Sequence, residues 1–202
     1  MTAGLIFSLT TFLFISAITP GPNNMLLTSS GANFGFIRSL GLICGILLGM
    51  QTILYLSAFG VAALLLVYPT IHTIMKIAGS LYLLWLAWKT ATASYRRLDT
   101  KGCAVIKPVR WYQGWLLQFL NPKAWLMGLG SVGSYSIAGE QYLYSIIIIS
   151  VATILISFLS SILWTGFGSL IGTLLRSRNA WFIFNIMMGI LTASCVPLIW
   201  IG

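Results

Sequence analysis

Two short clusters of helix-breaking and amide residues lie inside hydrophobic stretches of the chain. The first is Pro-Gly-Pro-Asn-Asn at 20–24, and the second is Asn-Pro-Lys at 121–123. Proline removes a backbone donor and glycine loosens the chain, so each cluster should interrupt a helix. Because unpaired backbone groups are costly in lipid, each break must face protein or a wet cavity. The exposed N–H groups and the positive end of a half-helix suit a carboxylate.

Lys123 is the only charge deep inside one of these hydrophobic stretches. A central ammonium costs about 3 kcal/mol on insertion scales, and such residues usually mark functional sites. No Asp or Glu falls within a hydrophobic stretch. The partner of Lys123 is therefore a backbone carbonyl, the helix break, or the carboxylate of a bound amino acid. It would act as a counter-charge or as a proton carrier, and a purely structural lysine is the alternative.

The candidate binding residues include the two clusters and three further polar residues. They are Pro20, Gly21, Pro22, Asn23, Asn24, Gln51, Gln118, Asn121, Pro122, Lys123 and Asn185. Each of the three further residues is as suited to bonding a neighbouring helix as to touching a substrate. The three cysteines are scattered without a Cys-x-x-Cys pair, so neither a metal site nor a disulfide framework is expected. No cofactor is expected either.

The elements that must position these residues are transmembrane helices. Of the 202 residues, 58% are hydrophobic and only 6% are charged, whereas a soluble domain carries roughly 25% charged residues. Lipid must therefore solvate most of the surface. A membrane helix needs about 20 apolar residues, and this length allows about six crossings. The predicted spans are 4–30, 39–66, 70–91, 112–135, 142–172 and 180–201.

The predicted fold is an all-α polytopic membrane protein built from two inverted repeats. The breaks fall in the first and fourth spans, and three is an odd number, so the two halves cross the membrane in opposite directions. The single domain 1–202 then divides into a three-helix repeat at 1–92, a basic cytoplasmic linker at 93–110 and a second repeat at 111–202. Broken helices at matching places in inverted halves indicate a transporter with its site near the midplane.

The basic residues determine the predicted orientation. The net charge of +9 is distributed over the ends of the spans and the loops between them, which argues against a nucleic-acid partner. With six spans, Arg38, the 93–110 linker and Arg178 fall on one side, which must be the cytoplasm. Both termini are then expected on the outer side of the membrane.

Glycines four residues apart predict close helix contacts. Gly41, Gly45 and Gly49 share one face of the second span, and Gly168 and Gly172 repeat the spacing in the fifth. Small residues at this spacing let helix backbones approach each other. The contact would lie within one chain or between two chains, so a homo-oligomer is possible.

Several motifs resemble one family over nearly the whole chain. Thr-Pro-Gly-Pro-Asn-Asn at 19–24, Lys-Ile-Ala-Gly-Ser-Leu-Tyr-Leu at 76–83, Leu-Asn-Pro-Lys at 120–123 and Asn-x-x-x-Gly at 185–189 follow the order of the LysE/RhtB amino-acid exporter family. The stretches at 29–39, 85–89 and 117–121 are most similar to its cysteine/O-acetylserine exporter branch.

This resemblance implies a six-helix secondary exporter that moves amino acids or close derivatives out of the cell without ATP. The residues at its motif positions are Pro20, Gly21, Pro22, Asn23, Asn121, Pro122 and Lys123. The substrate would be a small neutral amino acid or derivative, of the cysteine/O-acetylserine or threonine/homoserine type. Proton coupling is often supposed for such carriers, and here a proton would need Lys123 or another route.

Two other classes of function are less well supported by the sequence. A membrane enzyme would need an acid, a base or a metal-ligand set at membrane depth. The single Asp and Glu fall outside the spans, and the single His lies at the outer end of the third. A structural or assembly subunit without transport activity is the remaining alternative. Such a subunit would tolerate loss of Lys123, whereas a transporter would not.

Overall fold

The computed structural model describes residues 1–60, 69–92, 108–175, 177–194 and 196–197. Within these ranges the chain forms helices and no strand. The α-helices are α1 (Ala3–Ile18), α2 (Pro22–Phe34), α3 (Phe36–Ala58), α4 (Pro69–Ala91), α5 (Trp111–Phe119), α6 (Pro122–Tyr135), α7 (Tyr142–Leu174) and α8 (Arg178–Ala193), and a short 3₁₀ helix covers Gly139–Gln141.

The first predicted interruption is confirmed. Helix α1 ends at Ile18, and α2 begins at Pro22 after three intervening residues, with Pro22 in its first turn. Proline is favoured there because the missing N–H would have had no partner within the helix. The axes of the two helices differ by 57°, so the first predicted span is a bent pair of half-helices.

The second predicted interruption is also confirmed. Helix α5 ends at Phe119 and α6 begins at Pro122. Asn121 caps α6, because its side-chain oxygen accepts the backbone N–H of Lys123 at 3.2 Å. The same Asn-Pro-Lys sequence thus ends one half-helix and starts the next.

The described helices include clear membrane spans. Helix α3 and the segment Gly139–Leu174 are each long and apolar enough to cross a bilayer, and α1 with α2 makes a third if the bent pair counts as one span. Helix α7 is apolar on its outer face, where Leu155 and Leu163 are exposed, and buries hydroxyl residues such as Ser157 on the opposite face. An apolar outer surface with polar groups turned inward is what lipid requires.

Glycines bring α2 and α7 into backbone contact. A Cβ atom on Gly31 would collide with the backbone of Thr165, and one on Gly168 would collide with the backbone of Thr28. Gly172 meets Ala32 in the same way. The two helices run parallel, because later residues of one contact later residues of the other. The contact predicted from Gly168 and Gly172 is therefore present, and it lies within one chain.

A second parallel pair is formed by α3 and α5. A Cβ atom on Gly45 would collide with the backbone of Trp111, and one on Gly49 would meet Trp115 and Gln118. Gly41, which has the same spacing, has nothing within 4 Å of the place where its Cβ would stand. The predicted glycine face therefore contacts another helix at two of its three positions.

The packing places described arginines at one end of the bundle. Ala32 near the end of α2 contacts Gly172 near the end of α7, and α3 and α8 begin just after these two helices. Arg38 and Arg178 therefore lie at the same end, which we call the arginine end. Arg110 precedes α5, the helix that starts beside Gly45 on this half of α3.

Some sequence predictions fall outside the described residues. These are most of the basic linker at 93–110, the end of the second predicted span beyond residue 60, and the end of the sixth beyond 197. The remaining predicted spans agree with helix bounds to within a few residues.

Candidate binding site between the two helix breaks

A small polar cavity of about 40 Å³ lies between the two helix breaks. We call it the break cavity. Its polar lining comes from three places, namely the first break, the second break, and the inner faces of α1 and α7. The polar lining residues are Ser16, Asn23, Asn24, Asn121, Lys123, Ser157, Ser160 and Ser161. A volume of this size holds only a few water molecules.

Lys123 crosses the break cavity from α6 to the end of α1. Its Nζ donates a hydrogen bond of 2.5 Å to the backbone carbonyl of Thr19. The side chain passes over Gly21, where a Cβ atom would lie 3.3 Å from both Cδ and Nζ of Lys123. Glycine at this position therefore makes room for the lysine. Of the partners expected from the sequence, the backbone carbonyl at the break is the one observed.

The carboxyl end of α1 is surrounded by hydrogen-bond donors. Asn24 Nδ2 donates to the carbonyls of Ala17 at 3.0 Å and Thr19 at 2.9 Å. Ser160 Oγ on α7 donates to the Ala17 carbonyl at 2.8 Å. These bonds satisfy carbonyls that the break removes from the helix, at the negative end of the α1 dipole.

Asn23 is bonded to the second half of the chain. Its Nδ2 donates to Gln118 Oε1 at 2.9 Å, and Gln118 Nε2 donates to Asn23 Oδ1 at 3.0 Å. Gln118 is fully buried and also donates to the carbonyl of Gly114 at 3.0 Å. The sequence-based hypothesis gave the amides of Asn23 and Asn24 to a substrate carboxylate. In this structure both amides bind protein groups instead.

The first turn of α2 faces the same cavity. Gly21 is the N-cap in an extended conformation, and no side chain caps this end. Gly21 and Pro22 both line the break cavity. An uncapped helix start carries partial positive charge, so the site combines the positive end of α2 with the negative end of α1.

Five of the candidate residues do not line the break cavity, and of these Gln118 bonds to Asn23, which does line it. Gln51 bonds to Ser150 on α7, donating to its carbonyl at 3.2 Å and accepting its hydroxyl at 2.6 Å. Asn185 is fully buried on α8 and does not line the cavity. Pro20 lines a different cavity, and Pro122 occupies the first turn of α6.

A second, apolar cavity of about 390 Å³ lies between α2, α7 and α8. We call it the lateral cavity. Its lining includes Met25, Trp164, Phe167 and Met188. Gly21 lines both cavities, so the backbone at the first break separates them.

Sequence reasoning missed the hydroxyl residues of α7. Ser157 and Ser161 line the break cavity and are only 7% and 3% exposed. Neither hydroxyl forms a hydrogen bond within the described part of the chain. The signal was available, because Ser and Thr recur every three or four residues along one face of this span, at 150, 153, 157, 160, 161 and 165.

Within the described ranges no cluster of three or more His, Cys, Asp or Glu residues could hold a metal ion. Of the three cysteines, Cys44 lies in a described segment and is an exposed free thiol. The polar groups at this site are thus amides, hydroxyls, backbone carbonyls and one amine.

Helices long and apolar enough to cross a bilayer, together with two helix breaks that line one cavity, are typical of a multi-pass membrane protein of the transporter class. The chain matches the model of the LysE type translocator family over residues 14–195, and it belongs to that family. The resemblance seen in its motifs is confirmed. The protein is a transporter and not an enzyme.

Relatives named cysteine/O-acetylserine efflux protein match along almost the whole chain. The protein of Escherichia coli (strain K12) is 30% identical over 195 residues, which covers 96% of this chain and 97% of that protein. The protein of Shigella sonnei (strain Ss046) has the same identity and coverage. No solved structure matches the chain.

Proposed function

We propose that this protein is a secondary transporter that exports small neutral amino acids or close derivatives across the bacterial inner membrane. The observation that carries the proposal is the contact between Lys123 Nζ and the Thr19 carbonyl, which joins the second helix break to the first beside the break cavity. The relatives named for cysteine and O-acetylserine efflux favour these substrates. Threonine and homoserine share the same charge and similar size.

The proposed architecture is six spans in two inverted repeats, 1–92 and 111–202. Two hydrogen bonds support it. Lys123 bonds to Thr19, and Asn23 bonds to Gln118. If positions in the two halves correspond at a spacing of 100 residues, Asn23 corresponds to Lys123 and Thr19 corresponds to Phe119, which is next to Gln118. Each resumed half-helix thus reaches the end of the half-helix that precedes the other break, as a two-fold relation requires.

The helix pairs support the same arrangement. Parallel contacts join α2 to α7 and α3 to α5. Each contact joins the broken first span of one proposed half to the second span of the other half, and both are made at glycines where backbones touch. The half-helices differ, because α2 follows the first break and α5 precedes the second.

In the proposed orientation the arginine end faces the cytoplasm and both termini face the periplasm. Glu140, just before α7, then lies on the outer side. A test uses single cysteines at Thr2, Gly139 and Ser177 in a cysteine-free background. A membrane-impermeant maleimide added to intact cells with a permeabilised outer membrane should label the first two and leave the third unlabelled. The reverse pattern would refute the orientation.

The proposed substrate carries no net charge on its side chain. The described lining of the break cavity offers one cation and no carboxylate, so a basic side chain would have no partner there. The substrate carboxylate would be held by Lys123 and the uncapped start of α2. A coupling proton has no carboxylate route through the predicted spans, which leaves Lys123 as the candidate carrier.

The proposed transport cycle is alternating access around the break cavity. At the arginine end the helices touch backbone to backbone at Gly31, Gly45 and Gly168. Away from this end Gly128 and Gly130 meet side chains instead, those of Ile53 and Phe12. The described conformation is therefore the more tightly closed at the arginine end, and export requires these glycine contacts to separate and re-form.

Counterflow in proteoliposomes tests the proposal. Vesicles loaded with unlabelled cysteine, O-acetylserine, threonine, homoserine or serine should accumulate the labelled form of at least one of them. Lys123→Met should reduce the initial rate at least tenfold. The matched control is Lys89→Met, since Lys89 lies at the end of α4 over the ring of Trp85 and should leave the rate unchanged. Folded, inserted protein without counterflow for any of these solutes would move the assignment to an assembly role or another solute.

A further inference from the structure

An exported amino acid brings an ammonium group as well as a carboxylate, and the ammonium also needs a partner. The chain has two acidic residues, Asp99 in the linker and Glu140 before α7. Glu140 does not line the break cavity, and the described lining of that cavity contains no carboxylate. If the proposed function holds, the ammonium must be received by neutral acceptors, meaning backbone carbonyls and hydroxyls. Helix carboxyl ends are the strongest acceptors of this kind, because the helix dipole adds to the carbonyl charge.

The backbone carbonyls at the ends of α5 and α1 have different kinds of hydrogen-bond partner. At the end of α5, the Phe119 carbonyl accepts the indole N–H of Trp125 at 2.9 Å. The carbonyl of Leu117 accepts the backbone N–H of Leu120, and that of Gln118 accepts the N–H of Asn121. These partners are neutral groups of the same segment. At the end of α1, by contrast, the Thr19 carbonyl holds an amine from the other half of the chain.

We propose that the amine of Lys123 occupies, in this structure, the place on the Thr19 carbonyl that the α-ammonium of the substrate takes during transport. Lys123 then turns to the substrate carboxylate. A zwitterion is the class of molecule that can enter this contact without adding net charge, because it supplies a cation for Thr19 and an anion for Lys123. This inference rests on the proposed function and defines its substrate class as free α-amino acids.

The volume of the cavity supports an exchange rather than simple addition. Ligand sites for small molecules usually enclose roughly 300–1,000 Å³, and about 40 Å³ is open here while Lys123 lies across Gly21. Withdrawal of the lysine side chain from Thr19 vacates space over Gly21, beside the acceptor carbonyl. Asn24 and Ser160 keep the neighbouring Ala17 carbonyl bonded meanwhile.

The two isomers of acetylserine provide a sharp test. O-acetyl-L-serine has a free α-ammonium, and N-acetyl-L-serine has the same composition with the ammonium blocked. Each would compete with labelled O-acetyl-L-serine in counterflow, at mildly acidic pH to slow acyl migration. We expect N-acetyl-L-serine to compete at least tenfold more weakly, because it leaves the α1 carbonyls without a cationic partner. L-threonine and N-acetyl-L-threonine form a second pair with the same expectation.

The lysine half of the exchange is tested with L-serine and its methyl ester. In the native protein the ester should compete at least tenfold more weakly than serine. In Lys123→Met the two should compete within about threefold of each other, because the partner of the carboxylate is gone. Thermal stabilisation of the detergent-solubilised protein by the same ligands gives a readout that needs no transport. If the methionine variant fails to fold, Lys123→Arg, which keeps the charge, should retain the discrimination against the ester.

The outcomes separate the two proposals. Transport in which N-acetyl-L-serine competes as well as its isomer would overturn the ammonium exchange and leave the exporter assignment intact. A Lys123→Met variant that still rejects the ester tenfold would overturn the lysine half of the exchange. Absence of both counterflow and thermal stabilisation with all these ligands would remove the exporter assignment itself.

Discussion

Asn23 and Gln118 join the two halves of the chain through a pair of reciprocal amide hydrogen bonds, 2.9 and 3.0 Å long. The residues are 95 positions apart. Gln118 is fully buried, so neither of its amide atoms has water as an alternative partner. The pair connects the start of α2 directly to α5, and it sits next to the cavity that Lys123 crosses.

Replacing each of the two amide residues with alanine tests this pair. Asn23→Ala and Gln118→Ala should each destabilise the protein by about 1–3 kcal/mol, because each leaves a buried amide unpaired. The double variant should cost less than the sum, with a coupling of about 0.6–1.7 kcal/mol as found between membrane helices. Thermal unfolding in detergent measures all three. Strict additivity of the single effects would contradict a direct interaction.

A substitution of Asn24 that preserves the shape of its side chain is expected to reduce transport. Asn24→Asp replaces the donor that bonds the Ala17 and Thr19 carbonyls with an acceptor, and it also places an anion beside the negative end of α1. We expect counterflow to fall at least tenfold, and further than in Asn24→Ala. Asn33→Asp is the control, because the amide of Asn33 bonds to Ser29 one turn earlier on the same helix. Equal loss in both aspartate variants would contradict this role.

Two neighbouring glycines of α7 should respond oppositely to the same change. In Gly168→Ala the new methyl group meets the backbone of Thr28, whereas Gly166 has nothing within 4 Å of its Cβ position. Forcing α2 and α7 apart should cost about 1–3 kcal/mol, and Gly166→Ala should leave the midpoint of thermal unfolding unchanged or slightly raised. Similar midpoints for both variants would show that the backbone contact contributes little.

The serines of α7 should affect recognition more than stability. Ser157 and Ser161 line the break cavity, and their hydroxyls form no hydrogen bond within the described residues. Ser161→Ala should therefore raise the KM for counterflow about threefold to tenfold, the range for one lost hydrogen bond, with little change in thermal stability. Thr173→Ala is the control, since Thr173 is exposed and bonds only to its own helix at Leu170. An unchanged KM in Ser161→Ala would remove this serine from the site.

The sequence was sufficient to predict helices and their interruptions, because these depend on local chemistry. Proline at the first turn of α2 and of α6, with apolar residues on either side, determines where each helix stops and restarts. It was also sufficient to exclude a carboxylate of the predicted spans as the partner of Lys123. It left a backbone carbonyl, the helix break or the carboxylate of a bound amino acid, and the structure shows the Thr19 carbonyl.

Partners across the bundle were beyond local reasoning. The sequence predicted that the amide of Asn23 would bind the substrate carboxylate. In the structure the packing of α2 near α5 brings this amide into a hydrogen bond with Gln118. Gln51 and Asn185 have the same residue types as groups at the site, yet they face other helices. Gly41 follows the spacing of Gly45, but no helix passes its side of α3. Periodicity identifies a face, and only the tertiary arrangement determines what the face meets.

The lateral cavity has a mechanical consequence. Packed protein interiors resist displacement, because moving one side chain compresses its neighbours. The first turn of α2, however, is bordered on one side by about 390 Å³ of unfilled apolar space and on the other by the cavity that holds Lys123. Gly21 forms the wall between them without a side chain. This stretch of backbone is therefore less closely packed than the helices around it, and it lies at the position where the proposed exchange would release the lysine.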